Sequence, residues 1–149
     1  SHAQHNELFH FTGNRPDGAG FAACAAAIAA VARGRRVWVK GHGTGTLEAG
    51  RLEAEAFARQ FPRAPLVSWK GSLGHTLGSC GLVELAITIA ALRGSGGAEK
   101  KIPGTVGGAA PSFTDTVALD NFASAAFDGV ILAANAFGGA HAAMLLTHD

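Results

Sequence analysis

The chain has 149 residues, of which 48% are hydrophobic and 15% are charged, so it is long enough to bury a core and too apolar to stay disordered. Its net charge of +1, with no basic run, argues against nucleic acid as a partner. The longest apolar stretch, Leu77 to Leu92, is short for a membrane span and carries Glu84. We therefore expect one globular domain in the cytoplasm, with no membrane partner.

The first half of the sequence alternates predicted helices with short buried strands. Ala19 to Arg33 is rich in alanine and predicts a buried helix that ends at Gly34. A strand is predicted over Arg36 to Lys40, followed by an amphipathic helix over Glu48 to Phe61. Leu66 to Trp69 is predicted as the second strand.

The second half begins with a helix over Leu77 to Leu92 that is apolar on nearly all sides, which predicts a central position in the fold. Ile102 to Val106 is expected to be extended. Val130 to Ala134 and Ala142 to Thr147 predict an antiparallel pair joined through Phe137-Gly138-Gly139. This order of elements is typical of a layered α/β domain with a mixed sheet.

Two glycine-rich loops each hold a histidine directly after a predicted strand: Gly41-His42-Gly43-Thr44-Gly45-Thr46 and Lys70-Gly71-Ser72-Leu73-Gly74-His75. Glycine lets the backbone turn sharply and approach a ligand, and an imidazole there exchanges a proton near neutral pH. If the strands are parallel, their carboxyl ends share the sheet edge where α/β proteins bind ligands. We therefore predict that both imidazoles face one cavity. Thr44 and Thr46 would add hydroxyls beside it, or serve only in the turn and the helix cap.

Three charged side chains are predicted at buried positions. Lys70 ends a buried strand and Glu84 lies in a helix with almost no other polar side chain, so each charge needs the other. We expect an ion pair that orients and polarises His75; a salt bridge with no chemical role is the alternative. Glu53 lies on the flank of an apolar helix face, where a carboxylate needs a hydrogen-bond donor.

Other classes of ligand fit these loops poorly. The first loop lacks the full dinucleotide-binding fingerprint and the Gly-Lys-Ser/Thr end of a phosphate-binding loop. The two histidines are far apart in sequence and show no metal-ligand spacing, so no metal site is expected. Cys24 and Cys80 lie in helical runs and are expected to be buried, reduced thiols.

The two loops, Glu84 and Phe137-Gly138-Gly139 occur in the order typical of β-ketoacyl-acyl-carrier-protein synthases. From about His10 to Leu146 the chain resembles the C-terminal half of these decarboxylating condensing enzymes of the thiolase superfamily. The resemblance implies an α/β fold, a thiolase-like half with a five-stranded mixed sheet layered with helices. It implies an acyltransferase function, the decarboxylative Claisen condensation of acyl and malonyl thioesters in fatty-acid or polyketide synthesis.

The same resemblance implies catalytic roles. His42 and His75 resemble the two active-site histidines, which would hydrogen-bond the malonyl thioester carbonyl and stabilise the enolate as CO₂ leaves. Lys70 and Glu84 resemble the pair that supports this geometry. Glu53 matches a family glutamate that we interpret as structural.

Substrate-binding roles are implied for five further residues. Thr44 and Thr46 resemble residues near the pantetheine arm of the substrate. Phe137 resembles a gating phenylalanine, and Gly138 and Gly139 resemble its flexible hinge.

The resemblance also implies parts that this chain lacks. The family's nucleophilic cysteine lies in an N-terminal half, and the first strand of the C-terminal half is expected to be missing, since the similarity starts near Phe9. Residues 1–149 are therefore expected to form a single C-terminal thiolase-like ketosynthase domain, a fragment that is inactive as a synthase on its own because no nucleophile holds the acyl group. Expected partners are acyl carrier protein, the missing half and a second ketosynthase subunit, in a homodimer or heterodimer. No cofactor is expected, because the substrates are carried on phosphopantetheine.

Some positions depart from the family pattern, among them Gly50, where aspartate is usual, and His141, where asparagine is common. Two alternatives therefore stay open: a non-condensing partner subunit of the chain-length-factor type, and a carrier-protein-binding module. Such relatives usually lose the cysteine and often a histidine, so the presence of both histidines favours the enzyme.

Overall fold

The computed structural model describes residues 1–93, 100–107, 113 and 115–147. In these ranges the elements, in chain order, are β1 (His2–Asn6), α1 (Ala19–Val31), β2 (Val37–Lys40), α2 (Leu47–Gln60), β3 (Leu66–Val67), α3 (Lys70–Leu73), α4 (Cys80–Arg93), β4 (Lys101–Ile102), β5 (Phe122–Ala123), β6 (Gly129–Ala136) and β7 (Ala140–Thr147). Short 3₁₀ turns cover Leu77–Ser79 and Ser124–Ala126.

Five strands form one mixed sheet in the order β1-β7-β6-β2-β3, which confirms the expected α/β fold class. β2 lies between two parallel neighbours, with Val39 opposite Leu66 of β3 and Ile131 of β6. β7 is antiparallel to both β6 and β1, while β4 and β5 form a separate antiparallel pair. Because β2 and β3 are parallel, the loops that follow them start at the same edge of the sheet.

Side chains alternate along β2 and divide the core into two layers. Val37 and Val39 pack against α1 and α2, in an apolar cluster that includes Phe21. Trp38 lies on the opposite face with Trp69, in a cluster that also includes residues of α4. The strand pattern therefore places α1 and α2 on one face of the sheet and α4 on the other.

The first strand is present, so the expectation that it is missing was wrong. His2–Asn6 form β1, which pairs along its whole length with β7. The sequence of this strand is polar because it lies at the sheet edge, where only Ala3 is buried and its neighbours contact solvent.

The position predicted for the apolar helix was also wrong. α4 begins at Cys80, and its buried stripe continues through Glu84 and Thr88 to Leu92, whereas Leu82 on the other side is 72% exposed. The helix is not central, because it turns the polar side chains of Glu84 and Thr88 toward the sheet and leaves an apolar face outside. No helix of the described residues, α4 included, is long and apolar enough to cross a membrane.

Smaller differences concern the ends of the elements. β3 stops at Val67, and Lys70 begins the short helix α3 rather than ending a strand. The extended segment predicted over Ile102 to Val106 forms a strand only at Lys101–Ile102. The predicted antiparallel pair is confirmed as β6 and β7, each eight residues long.

Candidate active site

The imidazoles of His42 and His75 lie together beyond the carboxyl ends of β2 and β3. Their ring centroids are 5.3 Å apart, and the planes meet edge to face at 85°. His42 lies two residues after the end of β2 and is partly buried, whereas His75 is exposed in the loop between α3 and α4. The sheet topology thus brings together two rings that are far apart in sequence.

A cavity of about 350 Å³ opens beside the second ring, and Thr44, Thr46 and His75 line it. His42 contacts His75 but is not among the lining residues, so the structure places only the second of the two predicted imidazoles in the cavity wall. The two threonine hydroxyls are 3.3 Å apart. Thr46 stands at the N-cap position of α2, yet its side chain makes no capping hydrogen bond to that helix. Both hydroxyls are therefore directed to the turn and the cavity rather than to helix capping.

One buried carboxylate holds the N–H groups of the first loop. Glu53 of α2 accepts hydrogen bonds from the backbone N–H of His42 at 2.7 Å and of Gly43 at 2.9 Å. The Nδ2 of Asn135 in β6 donates to the same carboxylate at 3.3 Å. Burial raises the pKa of Glu53, and the two backbone donors act against this rise. Glu53 therefore finds the donors that its position requires, and it fixes the loop.

Two ammonium groups hold the carbonyl groups of the same loop. The Nζ of Lys70 donates to the carbonyl oxygen of His42, and the Nζ of Lys40 donates to the carbonyl oxygen of Gly41 at 2.6 Å. Glu84 lies between the lysines: its Oε1 accepts from Lys70 at 2.8 Å and its Oε2 contacts Lys40. Glu53 and this Lys–Glu–Lys cluster thus clamp the backbone around His42 from both sides.

The charges of this cluster depend on one another. Burial alone would raise the pKa of Glu84, but hydrogen bonds from Lys40 and Lys70 outweigh it and hold that pKa below its usual value. Burial lowers the pKa of Lys40, and its bond to Glu84 offsets this only in part. Sequence reasoning missed Lys40. The available signal was its place in β2, two residues after Trp38 and therefore on the same buried face.

His42 is neutral at physiological pH. Burial, followed by the charge of Lys70, lowers its pKa to about 4. Its Nδ1 lies 3.4 Å from the Nζ of Lys70, and an ammonium group can only donate. Nδ1 is therefore the acceptor, which places the ring proton on Nε2.

In His75, as in His42, Nδ1 is the acceptor and Nε2 carries the proton, but the hydrogen-bond partner is different. Its Nδ1 accepts a hydrogen bond from the backbone N–H of Leu77 at 3.0 Å, so its Nε2 carries the proton as well. The expectation that Lys70 and Glu84 orient this ring was wrong, because the contacts of that pair are with the His42 loop. Together the two rings offer two Nε2–H donors.

A second hydrogen-bonded network reaches Glu53 through Asn135 of β6. Asn135 accepts from Nδ1 of His141 at 2.9 Å, and Nε2 of His141 lies 3.2 Å from the carboxylate of Glu7. Gly20 of α1 is required beside it, because an added Cβ would lie 2.4 Å from the His141 ring. Local sequence patterns could not reveal this network, since Glu7 and His141 are at opposite ends of the chain.

The segment Phe137-Gly138-Gly139 forms the turn between β6 and β7. Phe137 is 79% exposed and is not among the residues that line the cavity. Gly139 has a φ of +74°, and a Cβ there would lie 2.3 Å from the carbonyl oxygen of Glu7. The structure therefore explains the glycine by close backbone packing and does not bring the phenylalanine into the cavity.

Both cysteines are buried, as expected. Cys24 lies within α1, and burial raises its pKa to about 11. Cys80 is the first residue of α4 and points inward with Glu84. A protonated, buried thiol is a poor nucleophile, so Cys24 does not suit covalent catalysis.

The mixed sheet and the paired histidines are those expected of the C-terminal half of a condensing enzyme with a thiolase-like fold. Residues 1–106 match the family described as beta-ketoacyl synthase, C-terminal domain. The chain therefore belongs to this family.

Two relatives with similar sequences support this family assignment. The chain is 37% identical over 93 residues to the tetracenomycin polyketide synthase ketoacyl synthase alpha subunit of Streptomyces glaucescens, covering 56% of this chain and 21% of that protein. It is 33% identical over 93 residues to the chloroplastic 3-oxoacyl-[acyl-carrier-protein] synthase II of Arabidopsis thaliana, covering 58% of this chain and 17% of the relative. The aligned part is therefore about a fifth of each relative.

The same fold occurs in a solved complex of a ketosynthase with its chain length factor from Xenorhabdus doucetiae. The match has a TM-score of 0.81 at 20% identity and covers 99% of this chain and 38% of the solved chain. At this identity the likeness concerns the fold alone.

Proposed function

We propose that this chain supplies the malonyl-decarboxylating part of a β-ketoacyl-acyl-carrier-protein synthase active site. The observation that carries the proposal is the pair of imidazoles, whose ring centroids are 5.3 Å apart and of which His75 lines a cavity of about 350 Å³. In each ring Nδ1 is engaged as an acceptor, so each presents an Nε2–H. Two neutral donors are suited to an oxygen that gains negative charge during a reaction.

The proposed chemistry needs no group beyond the substrate and these residues. The thioester carbonyl of a malonyl group accepts hydrogen bonds from His42 and His75. When the bond to the carboxylate breaks, its electron pair forms an enolate whose oxygen stays between the two donors, and CO₂ leaves. Thr44 and Thr46 line the same cavity and would contact the pantetheine arm. Because the pKa of His42 is about 4, the ring is a neutral imidazole at pH 7, which donates one hydrogen bond through Nε2–H, and not a charged imidazolium ion.

The acyl-carrying cysteine would come from a segment outside this chain. Both cysteines present are buried, and a condensing enzyme needs an exposed thiolate to hold the acyl group. We propose that this other segment packs on the apolar surface beside the site, where Leu77 and Leu82 are 76% and 72% exposed. Acyl carrier protein and a second ketosynthase subunit are the further partners that we propose.

The test is release of CO₂ from malonyl-pantetheine by the purified chain. We expect release above the rate in buffer, and a loss of about a hundredfold in His42→Ala and in His75→Ala, as when an oxyanion donor is removed. His2→Ala is the matched control, because His2 is exposed on the edge strand β1, and it should leave the rate unchanged. Equal rates in all four proteins would contradict the proposal.

A non-condensing partner subunit is the second candidate, because both cysteines of this chain are buried and neither is placed to hold an acyl group. It predicts binding of the carrier protein without release of CO₂. A further measurement concerns the cysteines: acyl-pantetheine should leave no acyl group on Cys24 or Cys80 by mass spectrometry. An acylated cysteine in the isolated chain would show that the nucleophile is already present.

A further inference from the structure

Lys40 is the most deeply buried charged group of the site described above, with 0% of its surface exposed. A lysine removed from water is costly unless it is paired and hydrogen-bonded. Its Nζ has both kinds of partner, the carbonyl oxygen of Gly41 at 2.6 Å and the carboxylate of Glu84. The environment is therefore built to hold an ammonium group at this point.

One carboxylate serves two lysines in this cluster. Lys40 contacts one oxygen of Glu84 and Lys70 contacts the other, with side-chain exposures of 0%, 5% and 3% for Lys40, Lys70 and Glu84. Glu84 would suffice to neutralise Lys70 alone. The second lysine therefore gives the cluster of Lys40, Lys70 and Glu84 a net charge of +1 on one side of the His42 loop, whose other side is held by the Glu53 carboxylate.

We propose that Lys40 is a positioning residue for His42: it fixes the loop through the Gly41 carbonyl, and its ammonium group adds a second positive charge beside that loop. The inference rests on the proposed role of His42 as a neutral hydrogen-bond donor. Lys40 itself contacts the backbone and Glu84 and not the cavity, since it is not among the lining residues.

The titratable groups that face His42 come from every element packed around it. They are Lys40 from β2, Glu53 from α2, Lys70 from α3, His75 from the next loop and Glu84 from α4. Burial is the main cause of the lowered pKa of His42, followed by the charge of Lys70, and Lys40 adds a smaller contribution. Removing the Lys40 charge should therefore raise the pKa of His42 while burial still holds it below its ordinary value. Replacing Lys40 by a neutral residue changes the sum over Lys40, Lys70 and Glu84 from +1 to zero.

The experiment follows His42 by NMR of ¹⁵N-histidine-labelled protein as the pH is lowered. In Lys40→Met we expect its pKa to rise above the wild-type value of about 4. The double variant Lys40→Met with Glu84→Gln restores the sum of +1, and the pKa should return toward 4. Lys101→Met is the matched control, because Lys101 is exposed in β4, and the pKa should stay at the wild-type value.

A lysine that only fills space predicts a different result. The pKa of His42 would then be the same in Lys40→Met and in wild type, or would move equally in the single and double variants, and either result overturns the proposal. Amide exchange of His42 and Gly43 gives the backbone part of the test. We expect at least tenfold faster exchange in Lys40→Met, and unchanged exchange would contradict the fixing role.

The wild-type protein provides a measurement that does not depend on the folding of variants. Spectra of ¹⁵N-labelled lysine should show a slowly exchanging ammonium signal for Lys40 at pH 7. A neutral amine at that pH would overturn the proposal. These measurements need no substrate, so they remain decisive for Lys40 even if malonyl-pantetheine proves not to be decarboxylated, which would count only against the proposed function.

Discussion

The loop that carries His42 and the loop that carries His75 are held very differently. Around His42, one buried carboxylate accepts from two backbone N–H groups, and two buried ammonium groups donate to two carbonyl oxygens. By contrast, residues 71–79, which include His75, are all exposed. The described contact of the His75 ring nitrogen is with the backbone N–H of Leu77.

This difference shows which part of the site the chain organises by itself. The first histidine is preorganised, because its loop is fixed by buried charges that cannot move without losing their partners. The second lies on a surface next to the exposed apolar side chains of Leu77 and Leu82. We therefore expect the proposed cysteine-bearing segment, which would cover this surface, to organise His75. The stability and the hydrogen exchange of the two loops should then differ.

The largest effect is expected at the charge cluster. Glu84→Gln leaves the ammonium groups of Lys40 and Lys70 buried without a counter-charge, and removing one partner of a buried ion pair costs about 3–5 kcal/mol. The free energy of unfolding in urea measures this. Glu55→Gln is the matched control, because Glu55 pairs with Arg51 at a half-exposed surface site, and it should cost less than about 1 kcal/mol. Equal losses would mean that the buried cluster does not stabilise the His42 loop.

The pH dependence of stability is the next largest effect. The pKa of His42 falls to about 4 in the folded protein from about 6.5 in an unfolded chain. The stabilisation by the neutral ring is therefore complete above pH 6.5 and is lost as the pH falls toward 4, by at most about 3 kcal/mol. Unfolding of wild type and of His42→Asn at pH 7.5, 5.5 and 4 isolates this contribution. A constant difference between the two proteins across these values would refute it.

Two glycines give a smaller and more local comparison. Gly43 has a φ of +46°, and an added Cβ would lie 2.4 Å from the side chain of Ser68, whereas nothing lies within 4 Å of a Cβ at Gly78. We expect Gly43→Ala to cost about 2 kcal/mol of unfolding free energy and Gly78→Ala less than about 0.5 kcal/mol. Comparable losses would contradict the view that only the first loop is tightly held.

Hydrogen exchange tests the comparison without any substitution. The backbone N–H groups of His42 and Gly43 are bonded to a buried carboxylate and should exchange only on large-scale opening. Amides of the exposed segment 71–79 should exchange at least a hundredfold faster on average. Similar protection in both loops would show that His75 is organised without a covering segment.

Much of this arrangement could be predicted from the sequence. Each histidine follows a short apolar run and is flanked by glycines. This local pattern marks the end of a strand and the turn after it, and so it predicted that both histidines lie at one edge of the sheet. The pairing of Lys70 with Glu84 followed from the cost of isolated buried charges. The need of Glu53 for donors followed from its place on the helix. In these cases a single residue in its local context carried the information.

The remaining features depend on partners that lie far away in the sequence. Lys40 ends a strand, where a lysine usually turns to solvent, and its partner Glu84 is 44 positions further along the chain. The network from Glu7 through His141 to Asn135 joins both ends of the chain. The strand β1 is polar although it belongs to the sheet, because it lies at the edge. The helix α4 buries the polar side chains of Glu84 and Thr88 and exposes apolar ones. In both elements, hydrophobicity alone therefore predicts the wrong position in the fold.

The most direct test of the shared site is a titration of ¹⁵N-histidine-labelled protein with malonyl-pantetheine. We expect the Nε2 signals of His42 and His75 both to shift and to yield the same Kd, because one thioester carbonyl contacts both rings. Signals that respond with different Kd values, or a response of only one ring, would contradict a common site for the two histidines.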